Sequence, residues 1–167
     1  KVKNVIFGLN SEYPAIVDGY EGTLVDVEQD VPVYAYYVPN GNGYDVYFLA
    51  NGVVFTPSDS HRLFYNMTAL ETVDTHNMDV SRTKSMEDMF YKCKVLKSMD
   101  TSHWDTASAT TMYGMFSDCY ELTELDVSGF KTGNCTSTSY MFYKCGKLTQ
   151  LDVAGFDTGK VTSFASM

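Results

Sequence analysis

The stretch that decides the fold is MYGMFSDCYELTELDVSGF at residues 112–130, which returns as TSYMFYKCGKLTQLDVAGF at residues 138–156. The dipeptide Met-Phe occurs at 89–90, 115–116 and 141–142, so it recurs every 26 residues. A fixed period of this length is typical of repeat proteins, in which each unit buries its apolar face against its neighbours. Three further columns keep the same period: Cys93, Cys119 and Cys145; Leu96, Leu122 and Leu148; Asp100, Asp126 and Asp152.

Each repeat carries two different periodicities. Met112, Met115, Phe116 and Cys119 have the spacing i, i+3, i+4, i+7, which predicts a short amphipathic helix with Thr110 or Thr111 as its N-cap. Residues 125–127 alternate between apolar and polar, which predicts a short strand. We therefore predict an α+β fold: a short leucine-rich-repeat-like solenoid, with one helix and one short strand per 26-residue unit, capped by a small N-terminal β-rich unit.

The repeats divide the chain into two parts. We expect residues 59–167 to form about four repeat units, and residues 1–58 to form a β-rich head. Met167 falls one period after Met141, so we expect the array to be truncated at that end. The head is interpreted first as a cap on the open apolar end of the array, and alternatively as a separate binding module.

The first 58 residues show β-strand signals without the repeat. Strands are predicted at about 2–7, 23–27, 31–38, 44–49 and 52–56. The Asn-Gly-Asn-Gly sequence at 40–43 predicts a hairpin turn between two of them. Residues 11–17 are predicted to hold one helical turn, which Pro14 limits.

Composition narrows the classes of partner. The chain has 167 residues, with 21 acidic and 12 basic ones, and a formal net charge of −9. This balance argues against nucleic acid or an anionic membrane as the main partner, because both need clustered Lys and Arg. No apolar run approaches the length that spans a bilayer. The cysteines of the repeat column, and Cys135 in another column, are interpreted as small buried apolar residues.

Three other columns are predicted to form the interior and the turns. A phenylalanine ladder and a column of large apolar residues fill the interior, and threonine hydroxyls satisfy the amides of the turning backbone. The ladder is Phe64, Phe90, Phe116 and Phe142; the large apolar column is Met78, Trp104, Phe130 and Phe156; the threonines are Thr106, Thr132 and Thr158.

Catalytic and metal-binding patterns are weak. No nucleophile-and-base motif or phosphate loop is present, and the three histidines are interpreted as solvated surface residues. We therefore predict no enzymatic activity and no cofactor. The stacked column of Asp74, Asp100, Asp126 and Asp152 is expected to accept hydrogen bonds or splay outward. Calcium bridging is the minority interpretation, since calcium takes six to eight oxygens. A second column, Asp79, Asp105, Lys131 and Asp157, is predicted to cap turns.

Residues 125–133 (LDVSGFKTG) and 136–162 (TSTSYMFYKCGKLTQLDVAGFDTGKVT) resemble the BspA-like bacterial surface proteins. These proteins carry a 26-residue repeat with the theme Leu-Asp-x-Ser-x-Phe-Asp-Thr-x-x-Val-Thr-x-Met-x-x-Met-Phe-x-x-Cys. The resemblance covers about residues 60–167 and departs from the theme at Trp104, Ala109, Lys131 and Cys135. It implies a secreted or cell-wall-attached bacterial protein with a role in adhesion or host interaction, and it brings no catalytic residues.

We therefore predict a non-enzymatic cell-surface or secreted repeat protein that binds a protein or glycan of a host or neighbouring cell. The alternative is a structural stalk or spacer that displays other domains, and a contiguous exposed aromatic patch would favour binding over that alternative. A solvated sheet face is the competing interpretation of the predicted binding face. That face consists of Thr72, Ser98, Glu124 and Gln150, together with Asp74, Asp100, Asp126 and Asp152.

Overall fold

A computed structural model describes residues 1–26 and 31–167 of the chain. Strands predominate, and the one helix found in these ranges has six residues. Residue 27, the end of the strand predicted at 23–27, lies outside the described residues. The elements are β1 (Val2–Leu9), α1 (Pro14–Gly19), β2 (Thr23–Asp26), β3 (Val33–Asn40), β4 (Gly43–Ala50), β5 (Val54–Phe55), β6 (Thr72–Asp74), β7 (Met78–Asp79), β8 (Ser98–Met99) and β9 (Glu124–Leu125).

The largest sheet joins the N-terminal part to the first repeat. Its strand order is β2-β3-β4-β1-β6. Strand β1 pairs in parallel with β4 on one side and with β6, from the first repeat, on the other. A second connection is the parallel pairing of Val54 in β5 with Met78 in β7. The two parts of the chain therefore share backbone hydrogen bonds and one continuous hydrophobic core.

The strand predictions for the N-terminal part are confirmed where the structure describes them. Strands β3 and β4 pair antiparallel from Asn40↔Gly43 onward, as the Asn-Gly turn predicts. Gly41 has φ +59, a left-handed conformation that glycine adopts without a Cβ clash. The predicted helical turn is α1, and its Pro14 lies in the first turn, where a missing N–H costs nothing.

The predicted helix of each repeat is absent, so the helix-plus-strand leucine-rich-repeat-like solenoid is wrong. Residues 86–96 form consecutive turns, in which the Met89 N–H donates to the Met86 carbonyl and the Tyr91 N–H to the Asp88 carbonyl. These are i→i−3 bonds, without the i→i−4 ladder of an α-helix. The described sheets are one of five strands and two of two strands, so no single sheet runs through the repeats.

Backbone bonding between repeats explains why the helix does not form. In the second repeat, alternate amides donate to carbonyls of the third repeat, so they cannot form the hydrogen bonds of a local helix. The Asp88 N–H donates to Tyr113, Phe90 to Met115 and Lys92 to Ser117.

Residues with positive φ interrupt each turn segment. Asp88 and Lys92 have φ 53° and 61°, and such left-handed residues end a right-handed helix. Arg62, Asn66, Gly114, Asp118, Tyr140 and Lys144 repeat this conformation in the other units. Of the two predicted N-caps, Thr111 accepts a hydrogen bond from the Tyr113 N–H at 3.3 Å but begins no helix, and its backbone forms isolated parallel bridges with Ser85 and Ser137.

The predicted interior columns are confirmed. Phe64, Phe90 and Phe116 are each at most 2% exposed. Successive rings of the ladder, including Phe142, stack with centroid separations of 4.8, 5.5 and 6.1 Å. The parallel column is buried at Met78, Trp104 and Phe130 and half-buried at Phe156. The core therefore packs only when successive repeats have the same length, because each ring stacks on the equivalent ring of the next repeat.

The cysteines are free and buried, as their column predicts. The Cys93 thiol donates to the Phe64 carbonyl at 3.2 Å, and Cys119 and Cys145 repeat this contact one and two units later. Burial raises the pKa of Cys93 to about 12. The thiols therefore stay protonated and fill the core as small apolar groups.

Among the described residues, no helix has the length and apolar character needed to cross a membrane.

Replacing Phe116 by Ala tests the importance of the ladder. Phe116 is fully buried between Phe90 and Phe142, so the change leaves a cavity. We expect the free energy of unfolding to fall by about 3–5 kcal/mol in urea denaturation. The control is Phe164→Ala, which removes a ring that is 47% exposed and should cost about 0.5 kcal/mol. Equal losses in both variants would contradict a stacked core.

Candidate functional site

The eight predicted binding residues lie on one exposed surface, which we call the carboxylate face. It consists of Thr72, Ser98, Glu124, Gln150, Asp74, Asp100, Asp126 and Asp152, all exposed. In each repeat two of them flank an inward-facing residue, as Glu124 and Asp126 flank Leu125. The alternation predicted from the sequence is therefore confirmed. Whether this face binds anything stays a prediction.

The aspartates of this face serve the turns that follow the strands. Oδ1 of Asp100 accepts a hydrogen bond from the Ser102 N–H at 2.9 Å, and Asp126 accepts the equivalent bond from Ser128. Hydrogen bonds from the serine side chain and backbone lower the pKa of both aspartates. Asp74 and Asp152 accept from the N–H two residues onward in the same way. The prediction that these carboxylates accept hydrogen bonds is confirmed.

The second aspartate column caps turns as predicted. Asp79, Asp105 and Asp157 each accept a hydrogen bond from the N–H two residues onward, and the Lys131 ammonium lies 3.0 Å from Asp105. The Thr106 hydroxyl accepts from the Lys131 N–H at 2.8 Å, which confirms the predicted role of a threonine hydroxyl at that turn.

Two shallow hollows divide the carboxylate face by charge. The first has a volume of about 650 Å³ and places Thr72 and Ser98 among Lys1, Lys3 and Lys97. The second, of about 680 Å³, is lined by Glu124 and Gln150 with Asp126 and Asp152. Glu71 also lines the first hollow and Lys147 the second, so the first hollow is basic on balance and the second is acidic.

Metal-ligand side chains come together elsewhere. In the described ranges, one group has potential ligand atoms within 4.8 Å of one another, namely His61, Glu87 and Asp88. The Arg62 guanidinium lies 3.3 Å from Asp88 and opposes a cation there. The aspartates of the carboxylate face do not belong to this group.

His76 connects the carboxylate face to the N-terminal part. Its Nδ1 lies 2.8 Å from Asp74 Oδ1, and its Nε2 lies 3.0 Å from Glu12 Oε2. The bond to Asp74 is the largest cause that raises the pKa of His76 above its usual value of 6.5. The hydrogen bond from the Leu9 N–H is the largest cause that lowers the pKa of Glu12, and the hydrogen bond with His76 is the second.

A second exposed surface, which we call the tyrosine face, runs along the turn segments of the repeats. Tyr65 and Tyr91 stack at 5.0 Å, Tyr113 lies 5.5 Å from Tyr140, and Tyr140 packs edge-on against Tyr143. The periodic pattern alone does not identify this surface as a binding site, although the recurrence of tyrosine at 65, 91 and 143 marks it. The tyrosine face is Tyr65, Tyr91, Tyr113, Tyr120, Tyr140 and Tyr143.

The tyrosine column has a gap in the third repeat, where Ser117 stands. Gly114, three residues earlier, takes the place that Asp88 and Tyr140 hold in the neighbouring repeats. These two small residues line a hollow of about 260 Å³ together with Tyr91, Tyr113, Tyr140 and Tyr143. We call it the Ser117 hollow.

The Ser117 hollow contains two nearly buried carboxylates, each with a cationic partner. Asp88 pairs with Arg62 at 3.3 Å, and Asp118 pairs with the Lys144 ammonium at 3.6 Å. The Tyr120 hydroxyl donates to Asp118 at 2.8 Å, and this bond raises the pKa of Tyr120. The hollow therefore combines aromatic walls with paired charges that nearly cancel.

These features define a class of protein: a repeat protein built from short strands and turns, with an aromatic surface along one side. The family profile described as "Mycoplasma protein of unknown function, DUF285" matches residues 58–167. This range is more than half of the chain, so the chain belongs to that family. No curated protein and no solved structure matches the chain.

The His76 bridge makes stability depend on pH. Because its folded pKa is raised, His76 contributes fully below about pH 6.5 and loses this contribution as pH rises through the raised value. Glu12, whose pKa is lowered, contributes above pH 4.5 and loses this contribution as pH falls through its folded value. We expect denaturant unfolding to show lower stability at about pH 8 than at about pH 6, by less than about 1 kcal/mol.

The control for this prediction is His76→Asn, which keeps a polar side chain and removes the titration. The difference in unfolding free energy between the two pH values should shrink in this variant. An unchanged pH dependence would assign the effect to other groups.

Proposed function

We propose that this chain is a non-enzymatic binding scaffold of a bacterial cell surface or secreted protein, and that its partner is a macromolecule of a host or neighbouring cell. The observation that carries the proposal is the tyrosine face. Four of its side chains are 37–39% exposed, at Tyr65, Tyr113, Tyr120 and Tyr143. Tyrosine combines a large apolar ring with a polar tip, which suits it to wet binding surfaces.

The tyrosine face supports binding better than the carboxylate face does. The aspartates of the carboxylate face already use an oxygen to hold the following turn, as Asp126 does with Ser128. The exposed rings of Tyr65 and Tyr143 do not stabilise a turn in this way. Contiguous exposed aromatic surface on a folded protein favours a binding role.

Neighbouring lysine side chains order the rings of the tyrosine face. Lys92 and Lys144 place their ammonium groups 4.8 and 5.0 Å from the ring centroids of Tyr91 and Tyr143. Such cation–π contacts hold long side chains beside the rings, and they orient the rings at little entropic cost on binding. A surface ordered before binding loses less free energy when it meets a partner.

Localisation outside the cell rests on the resemblance of residues 125–133 and 136–162 to the BspA-like repeat. A net charge of −9 supports a protein or glycan partner over nucleic acid. The proposal includes no cofactor, and calcium enters only as a variable of the test, because the carboxylate face holds four exposed aspartates.

The test is binding of the whole chain to arrays of extracellular-matrix proteins and glycans, with and without calcium. The double variant Tyr65→Ala, Tyr120→Ala removes two exposed rings from the tyrosine face. We expect it to weaken binding about tenfold or more, because exposed aromatic anchors contribute about 1–2 kcal/mol each at interfaces. The matched control is Glu124→Ala, Gln150→Ala on the carboxylate face, which should bind like the unmodified chain.

Three outcomes are informative. Loss of binding only in the tyrosine variant supports the proposal. Loss only in the Glu124 and Gln150 variant returns the site to the carboxylate face. No binding by the folded, unmodified chain contradicts a binding scaffold and favours the stalk or spacer, a role that the hydrogen bonds between successive repeats also suit.

A further inference from the structure

We propose that the Ser117 hollow binds one pyranose ring of an uncharged glycan, which completes the interrupted tyrosine column. This inference rests on the proposed function and names the ligand class for one part of the tyrosine face. It commits to one ligand, a neutral sugar residue, and to one place, the third repeat between Tyr91 and Tyr143.

The first argument is the size of the gap. Equivalent side chains of successive repeats are about 4.8 Å apart, so Tyr91 and Tyr143 are about 10 Å apart across the gap. One ring with contact distances of about 3.5–4.0 Å on each side fits such a space. Tyr65 and Tyr91, where the column is complete, stack at 5.0 Å. Tyr113, Tyr140 and Lys144 also line this hollow, and the space of about 260 Å³ that all these side chains leave is the room for one ring.

The second argument is that both walls of the gap present similar ring surfaces. The Lys92 ammonium lies 4.8 Å from the Tyr91 centroid, and the Lys144 ammonium lies 5.0 Å from the Tyr143 centroid. Lys144 also lines the hollow and lies 3.6 Å from Asp118, so each ring shares its surface with an ammonium group, and a flat ligand would stack on the part of the ring that the lysine leaves free. The C–H-bearing face of a pyranose carries partial positive charge and stacks on the negative face of a tyrosine ring.

The third argument is the charge in the hollow. Arg62 lies beside Asp88, and Lys144 beside Asp118. Because each carboxylate already has a cationic partner, the hollow offers little net attraction to a cation such as a quaternary ammonium. The net charge of −9 disfavours a polyanionic glycan. A neutral ligand meets neither penalty.

The fourth argument is the hydrogen-bonding capacity that remains. A carboxylate accepts about four hydrogen bonds, and the contacts of Asp118 with Lys144 and Tyr120 use only part of that number. Sugar hydroxyls are donors that suit such acceptors, and bonds to an ionised acceptor are the stronger kind. The 95% burial of Asp118 holds its carboxylate in a fixed position. A purely aromatic ligand would leave these acceptors unused.

The test uses the whole chain and the variant Ser117→Tyr. The probes are neutral trisaccharides of glucose, galactose, mannose and N-acetylglucosamine, and binding is measured by calorimetry and by saturation-transfer NMR. The backbone accommodates tyrosine in this column at Tyr91 and Tyr143, so we expect the variant to fold. Its new ring should fill the gap and weaken trisaccharide binding at least about tenfold.

Two further variants separate loss of the site from loss of the fold. Tyr143→Leu removes one wall and should also weaken binding. Tyr44→Leu changes a tyrosine that is 48% exposed on β4, away from the hollow, and should bind like the unmodified chain. Near-ultraviolet circular dichroism checks that each variant is folded.

Several results would overturn the inference: no trisaccharide binds, binding survives in folded Ser117→Tyr, or choline or p-cresol binds while the sugars do not. The inference and the proposed function fail separately. If the arrays show a protein partner that depends on Tyr65 and Tyr120 but no trisaccharide binds, the inference is wrong and the scaffold function stands. If neither arrays nor trisaccharides bind, both are wrong.

Discussion

Backbone hydrogen bonds between successive repeats are the constraint on which the rest of the structure depends. The Phe90 N–H donates to the Met115 carbonyl at 2.8 Å, and the Phe116 N–H donates to the Met141 carbonyl at 2.9 Å. A buried amide needs a partner, and here the next repeat supplies it. The bond joins positions that are 25 residues apart, so a change in the length of one unit would move every donor out of register with its acceptor. The backbone hydrogen bonds therefore require the 26-residue period, and the periodic side-chain pattern follows from it.

The same register fixes what the side chains can do. Each phenylalanine of the ladder stacks on its equivalent, and each column cysteine reaches the carbonyl of a phenylalanine in the preceding repeat, as Cys119 reaches Phe90. Burial raises the pKa of Cys145 to about 11, and a protonated, enclosed thiol reacts slowly with oxidants. Free thiols at these positions are thus compatible with the extracellular location that we propose, because the core protects them whatever the redox state outside.

Much of this could be predicted from the sequence, because the prediction rests on which residues are buried. The phenylalanine and cysteine columns, the alternation around Leu125, the hairpin at 40–43 and the turn-capping aspartates all follow from spacing. The helix could not be predicted correctly. A stripe at i, i+3, i+4, i+7 is produced equally by consecutive turns, and only the donation of alternate amides to the next repeat distinguishes the two. The left-handed conformation of Lys92 has no sequence signal, since lysine rarely adopts it. The recurrence of tyrosine at 65, 91 and 143 indicates part of the tyrosine face in the sequence, but the exposure of these rings depends on that same turn geometry.

A periodic structure also determines where a specific site can form. Where a column is complete, as at Phe90 and Phe116, neighbouring side chains satisfy one another and leave no room for a ligand. A cavity can form where a smaller residue replaces the large side chain of a column while the backbone keeps its regular conformation. The third repeat does this twice on the same side: Ser117 lacks the ring that the column carries elsewhere, and Gly114 lacks the Asp88 or Tyr140 side chain of its neighbours. A Cβ at Gly114 would clash with Asp88 Oδ1, so the glycine lets that carboxylate lie against the backbone of the third repeat. The regular repeats supply rigid walls, and the irregular one supplies the space between them.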